Sequence, residues 1–136
     1  MRIAIYGNPF NPVKAKYVQH LIHKIEENSV PIIIEHQFHD FLIDHVNFKK
    51  DIDIFDTPKE LQENADILLS IGGDGTLLNT ITLIRDSSIP VLGINTGRLG
   101  FISSVSTDQI DNALNQLFKK EYTIEERTLL QLDTNN

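Results

Sequence analysis

The chain reads as an α/β protein with a doubly wound, mostly parallel sheet and helices on both faces. Three observations predict this. The strand candidates are near-continuous apolar runs, Ile3-Ala4-Ile5, Ile32-Ile33-Ile34, Ile67-Leu68-Leu69 and Pro90 to Ile94, as expected where both faces of a sheet are covered. They alternate with segments of helical periodicity. Two of the strands also run into glycine-rich segments, and open parallel sheets bind ligands at the carboxyl ends of their strands.

Each element has its own signal. Ile3 to Tyr6 is a short apolar strand that stops at the turn cluster Gly7-Asn8-Pro9. Val18, Leu21, Ile22 and Ile25 fall at i, i+3, i+4 and i+7, which predicts an amphipathic helix from about residue 13 to 27. Ile32-Ile33-Ile34 is too short and too β-branched for a helix. Phe38, Phe41, Leu42 and His45 return to helical spacing. Thr57-Pro58-Lys59-Glu60 joins a capping box to proline at the first helical position, so a short helix starts there. Asp66 to Ile71 is a strand, Leu77 to Arg85 a helix, and Pro90 to Ile94 the next strand. Ile110, Ala113, Leu114, Leu117 and Phe118 mark a last helix, capped at Ser106 or Thr107. Tyr122 to Leu132 looks like a long strand with nothing after it to pair with.

Composition narrows the function classes. At 136 residues and 40% apolar, the chain can bury one core. The absence of cysteine excludes disulfides and thiolate metal sites. No apolar run is long enough to span a membrane, and the opening residues read as a strand rather than a signal peptide, so a cytoplasmic protein is expected. A net charge of −7 argues against nucleic-acid or anionic-membrane partners, which call for a basic face. It also means that a polyphosphate ligand must be held by local donors and a metal ion.

The chemistry concentrates in Ile71-Gly72-Gly73-Asp74-Gly75-Thr76, which follows the strand at Ile67 and precedes Leu77-Leu78. Glycines at 72, 73 and 75 allow positive φ and bring backbone N–H groups close to a ligand. A helix opening after Gly75 adds unpaired N–H donors that suit phosphate. A structural turn needs one or two glycines, so three around an aspartate favour function. Asp74 is out of place in a simple phosphate cradle, because its charge repels the ligand. Such a carboxylate is explained if it takes a proton from an attacking hydroxyl or holds a metal ion, and either role points to phosphoryl transfer. Its alternative role is a helix N-cap.

The same turn occurs in NAD kinases, lipid kinases and, with a variant ending, phosphofructokinases. A second segment, Val91-Leu92-Gly93-Ile94-Asn95-Thr96-Gly97-Arg98-Leu99-Gly100-Phe101, closely resembles the second motif of NAD kinases. Lipid kinases carry Asn-Glu soon after the first turn, where this chain has Asn79-Thr80. The chain thus resembles the N-terminal part of an NAD kinase along nearly its whole length. The resemblance implies a two-domain enzyme, with residues 1–121 as the α/β domain and 122–136 as the first strand of a truncated, β-rich second domain. It implies transfer of the ATP γ-phosphoryl group to the adenosine 2′-hydroxyl of NAD, giving NADP, with a divalent cation, magnesium, on the donor phosphates. This chain is then expected to be an N-terminal fragment, inactive alone, of a homo-oligomer (dimer or tetramer).

Residue by residue, the resemblance makes Asp74 the base that deprotonates the 2′-hydroxyl. It brings Gly75 and Asn79 to the adenosine, with Leu78 adding apolar contact. Phe101, with Ile102, would stack on adenine or line its pocket, although a phenylalanine is more often core. Asn95 has atoms suited to ribose or phosphate, or to a local turn. Arg98 is a candidate for phosphate neutralisation, or a surface arginine. Gly72, Gly73, Gly75, Thr76, Leu78, Asn79, Asn95, Arg98 and Phe101 are therefore the candidate nucleotide contacts. Neither a G-x-x-x-x-G-K-[ST] loop nor a G-x-G-x-x-G after the first strand is present, so NAD would be substrate rather than redox cofactor. The alternatives are a related lipid kinase and a non-catalytic nucleotide-binding or oligomerisation module. The histidines at 20, 23, 36, 39 and 45 read as exposed or partly packed, and Glu26-Glu27 and Glu125-Glu126 as solvated faces.

Overall fold

A computed structural model describes residues 1–97 and 105–121. The elements in chain order are β1 (Ile3–Gly7), α1 (Ala15–Glu27), β2 (Ile32–Glu35), α2 (His36–Leu42), β3 (Asp53–Phe55) and α3 (Pro58–Asn64). There follow β4 (Ile67–Gly72), α4 (Asp74–Ile84), β5 (Val91–Asn95), β6 (Val105–Ser106) and α5 (Ile110–Phe118). The six strands form one sheet in the order β3-β2-β1-β4-β5-β6, and every neighbouring pair is parallel. The chain builds outward from β1 to β3, then returns to the other side of β1 and builds outward again. That reversal lies between β1 and β4, and their carboxyl ends flank a crevice of the kind in which doubly wound sheets bind ligands.

Alternate residues of each strand point to opposite faces, and each face has its own core. Ile3, Ile5, Ile34, Leu69, Ile71 and Ile94 pack with Val18, Leu21, Ile22 and Ile25 of α1, Phe38 of α2 and Leu114 of α5. Ala4, Ile33 and Leu68 pack on the other face with Phe55, with Leu61 of α3 and with Leu83 and Ile84 of α4. The expected doubly wound sheet with helices on both faces is what the chain forms.

The local signals act as predicted at several ends. The Thr57 hydroxyl accepts the Glu60 N–H at 3.2 Å, and Pro58 opens α3. The Ser106 backbone N–H donates to Gln109 Oε1 at 3.4 Å, starting a 3-10 turn that feeds α5. Two short strands had no signal in the sequence, and two readings change. β3 carried no apolar run, because two of its three residues are exposed at the sheet edge. β6 is only two residues long. Of the readings that change, α4 starts at Asp74 rather than Leu77, since Leu77 N–H already bonds the Gly73 carbonyl at 3.1 Å. Glu26 is not on a solvated face: it is 7% exposed, and its Oε2 accepts the Lys49 and Lys50 N–H groups at 2.9 and 3.2 Å. One buried carboxylate thus pins the loop before β3 to α1. Residues 122–136, including Glu125-Glu126 and the expected terminal strand, lie outside the described residues.

Candidate functional site

β4 is buried from Ile67 to Ile71 and delivers the glycine turn at the carboxyl edge of the sheet. Gly72 has φ of +151°, a conformation that side chains rarely adopt, and a Cβ there would collide with the Thr76 side chain. Its glycine is required by the turn itself. Gly73 and Gly75 differ. Both have negative φ, and a Cβ on either would meet nothing within 4 Å. The expectation that all three glycines serve positive φ therefore holds for Gly72 alone. The other two keep open a space that the protein itself does not fill.

Gly73 is the N-cap of α4 and offers no side chain to cap it. Asp74 is the first helical residue, partly buried, at the end of the helix where the dipole favours a negative charge. It is thus not the N-cap. Leu78 and Asn79 lie one turn beyond Asp74 and Gly75, so they extend the same stripe of α4, and both are exposed. Thr76 and Thr80 are on the opposite side and buried. The Thr76 hydroxyl accepts Asn8 Nδ2 at 3.0 Å, which ties the loop after β1 to the first turn of α4.

The second glycine-rich segment lies beside the first. Asn95 at the end of β5 is in register with Gly72, and Thr96 N–H donates to the Gly72 carbonyl at 3.3 Å. Asn95 is 6% exposed, and its Oδ1 accepts the Gly97 N–H at 2.8 Å, closing a turn in its own backbone. The two motifs therefore converge, as their positions after strands imply. Gly93 is buried within β5. Arg98 and Phe101, with Leu99, Gly100 and Ile102, lie outside the described residues.

Two residues reach this edge that the sequence did not single out. One is Asn8, through Thr76. The other is Lys14, whose ammonium lies 3.5 Å from where a Cβ on Gly97 would stand. Both belong to the segment between β1 and α1, read in the sequence as a turn and a helix start. Their only sequence signal is their place after a strand, where such sheets put their ligands.

The histidines do not converge with these residues. His20 faces Asp111 across α1 and α5, at 2.5 Å. His45 stacks on Phe41 with centroids 4.3 Å apart. His36 Nδ1 sits 2.7 Å from Asp56 Oδ1, and its Nε2 is 3.5 Å from Asp40. The hydrogen bond to Asp56, then the charges of Asp56 and Asp40, hold the exposed His36 imidazole above its ordinary pKa. Among the described residues no group of three or more His, Asp or Glu could enclose a metal ion, and no helix is long and apolar enough to cross a membrane.

Comparison with known proteins matches this geometry to one family. Residues 3–122 match the profile of the ATP-NAD kinase N-terminal domain. An NAD kinase of Christiangramia forsetii is 35% identical over 135 residues, covering 99% of this chain and 46% of that protein. An NAD kinase of Bacteroides fragilis is 39% identical over 134 residues, covering 97% of this chain and 45% of the relative. The chain thus spans a little under half the length of these relatives. A crystal structure of yeast NADH kinase complexed with NADH shares the fold, with a TM-score of 0.69 at 18% identity, over 88% of this chain and 38% of that one. With a profile match over most of its length, and the first motif beside the start of the second at one edge of a doubly wound sheet, this chain belongs to the ATP-NAD kinase N-terminal domain family.

Proposed function

We propose that this chain supplies the phosphoryl-transfer edge of an NAD kinase, which moves the γ-phosphoryl group of ATP to the adenosine 2′-hydroxyl of NAD. The observation that carries the proposal is Asp74, set between two glycines whose side-chain positions are open space, at the start of α4 beside the switch point of the sheet. A ribose hydroxyl is a poor nucleophile at neutral pH. Asp74 accepts its proton as the new O–P bond forms and the bond from the γ-phosphorus to the bridging oxygen of ADP breaks. The α4 N–H groups, unhindered at Gly73 and Gly75, face the phosphates. Gly75, Leu78 and Asn79 line the adenosine along the exposed stripe of α4. Arg98 and Phe101 belong to the proposal as phosphate and adenine contacts.

A divalent cation, magnesium, would be carried by the substrate phosphates, since Asp74 is the proton acceptor and among the described residues no cluster of three histidines or carboxylates could enclose an ion. When bound, it spreads the charge that develops on the transferred group. Cytoplasmic location, assembly into a dimer or tetramer, and the division at residues 121 and 122 into an α/β domain and a β-rich continuation complete the reading.

The test is NADP formation by the complete protein its gene encodes, compared with its Asp74→Asn variant. Loss of a general base costs about 10²–10⁴-fold in kcat, with the KM for NAD changed by much less. A variant with near-normal kcat would reduce Asp74 to a favourable charge at a helix start.

A further inference from the structure

Lys14 is a cation placed against local electrostatic preference. It is the residue from which α1 departs, it makes no side-chain cap, and the first turn of α1 contains no acidic residue. Lys16 adds a second positive charge two residues on. Helix starts favour carboxylates, because the unpaired N–H groups there already carry positive charge. Where a chain breaks a local rule without an internal compensation, a functional cause is the first to seek.

The side chain finds no such compensation within the described residues. Lys24 faces Asp111, Lys59 faces Glu63, and Lys16 lies over the Tyr17 ring. Lys14 makes no ion pair among the described residues, a lack it shares with the exposed Lys49, Lys50, Lys119 and Lys120, in a chain with 19 acidic residues and a net charge of −7. It is nevertheless partly buried, and its ammonium is directed to the exposed turn at Gly97. The backbone that carries it is held by its own local bonds. Asn11 Oδ1 accepts the Val13 N–H at 3.1 Å, the Asn11 carbonyl accepts the Lys14 N–H at 2.8 Å, and Pro12 fixes φ between them. From this base the loop after β1 bonds α4 through Asn8 and sets the Lys14 ammonium beside the open side-chain position of Gly97 in the β5 turn.

We propose that Lys14 binds the phosphate groups of a nucleotide held at the carboxyl edge of the sheet, a role that rests on the kinase reading above. Its ligand is a chain of linked phosphates, which both ATP and NAD contain. A mobile ammonium on a four-carbon stem suits such a chain, since it can follow the oxygens as charge moves from the γ-phosphoryl group to the departing diphosphate. It also supplies the local positive charge that a net-negative protein needs to hold a polyanion.

Lys14→Met keeps the stem and removes the charge; Lys14→Arg keeps the charge. In the complete protein, Lys14→Met is expected to raise the KM of one nucleotide about 10- to 100-fold, the range of one charge-assisted hydrogen bond. Lys14→Arg should recover most of that loss. A rise in the KM for ATP assigns Lys14 to the donor, and a rise in the KM for NAD assigns it to the acceptor. Calorimetric titration with inorganic tripolyphosphate separates the two layers of the argument. Binding by the parent protein that Lys14→Met loses supports the phosphate site even if no NADP is formed. NADP formation with both KM values unchanged in Lys14→Met overturns the role of Lys14 and leaves the kinase reading standing. Absence of both NADP formation and tripolyphosphate binding overturns both.

Discussion

Gly72 and Gly75 stand three residues apart in one motif and serve different physical purposes. Gly72 holds φ of +151° against the Thr76 side chain, so any side chain there is strained and crowded. Gly75 lies in the first turn of α4 with nothing near its missing Cβ. Gly72→Ala should therefore lower the melting temperature. Gly75→Ala should leave it unchanged or raise stability by up to about 1 kcal/mol, the helix preference for alanine over glycine. If the open space belongs to a nucleotide, Gly75→Ala should also weaken ATP or NAD binding. Melting curves and titrations on the same samples decide this, and a Gly75→Ala protein with intact binding would argue against a ligand at that position. The sequence showed that these glycines were too many for a turn. Which one shapes the backbone and which ones leave room depended on the φ angles and on Thr76 packing beneath Gly72.

Among the elements, α2 and β3 are joined at the carboxyl edge by His36, held between Asp56 and Asp40. The folded state raises the pKa of His36, first through the hydrogen bond to Asp56, then through the charges of Asp56, Asp40 and Glu35; the small burial opposes this. Protonation is therefore favoured by folding. The stabilisation is complete below the unfolded value near 6.5 and disappears as pH rises through the higher folded value. Thermal melting from about pH 6 to about pH 8 should show the parent protein losing more stability than His36→Gln. Equal slopes for the two proteins would show that the pair contributes nothing. The histidine spacing gave no warning of this contact, because Asp56 is 20 residues away and reaches His36 only when β3 pairs with β2. β3 was itself missed, since a three-residue edge strand with two exposed positions has no apolar signature.

At the scale of the molecule, the sheet is covered on both faces from within the chain, and its buried residues form two continuous clusters. The chain nevertheless spans 46% of the length of the Christiangramia forsetii relative. The 136-residue chain alone should give a far-UV circular dichroism spectrum of an α/β protein, yet form no NADP. The complete protein its gene encodes should form it. The loss of binding groups from any further domain cannot be made up by the glycine turn, because catalysis requires both substrates to be held in line. Comparable rates from the two proteins would mean that the α/β domain carries a complete active site.

The sequence by itself determined the α/β class, most helices and the two motifs, because apolar periodicity, caps and glycine turns are local properties of neighbouring residues. It also singled out Asp74, whose charge is anomalous in its own loop. Only the tertiary structure decided that β4 returns to lie beside β1. That pairing brings Asn8 to Thr76, 68 residues away, and Lys14 to the turn at Gly97. Neither contact has a signature in the chain, since strand order is set by how six strands and their helices share two cores. A site at a topological switch point is made of residues that are neighbours only because the winding of the sheet reverses there.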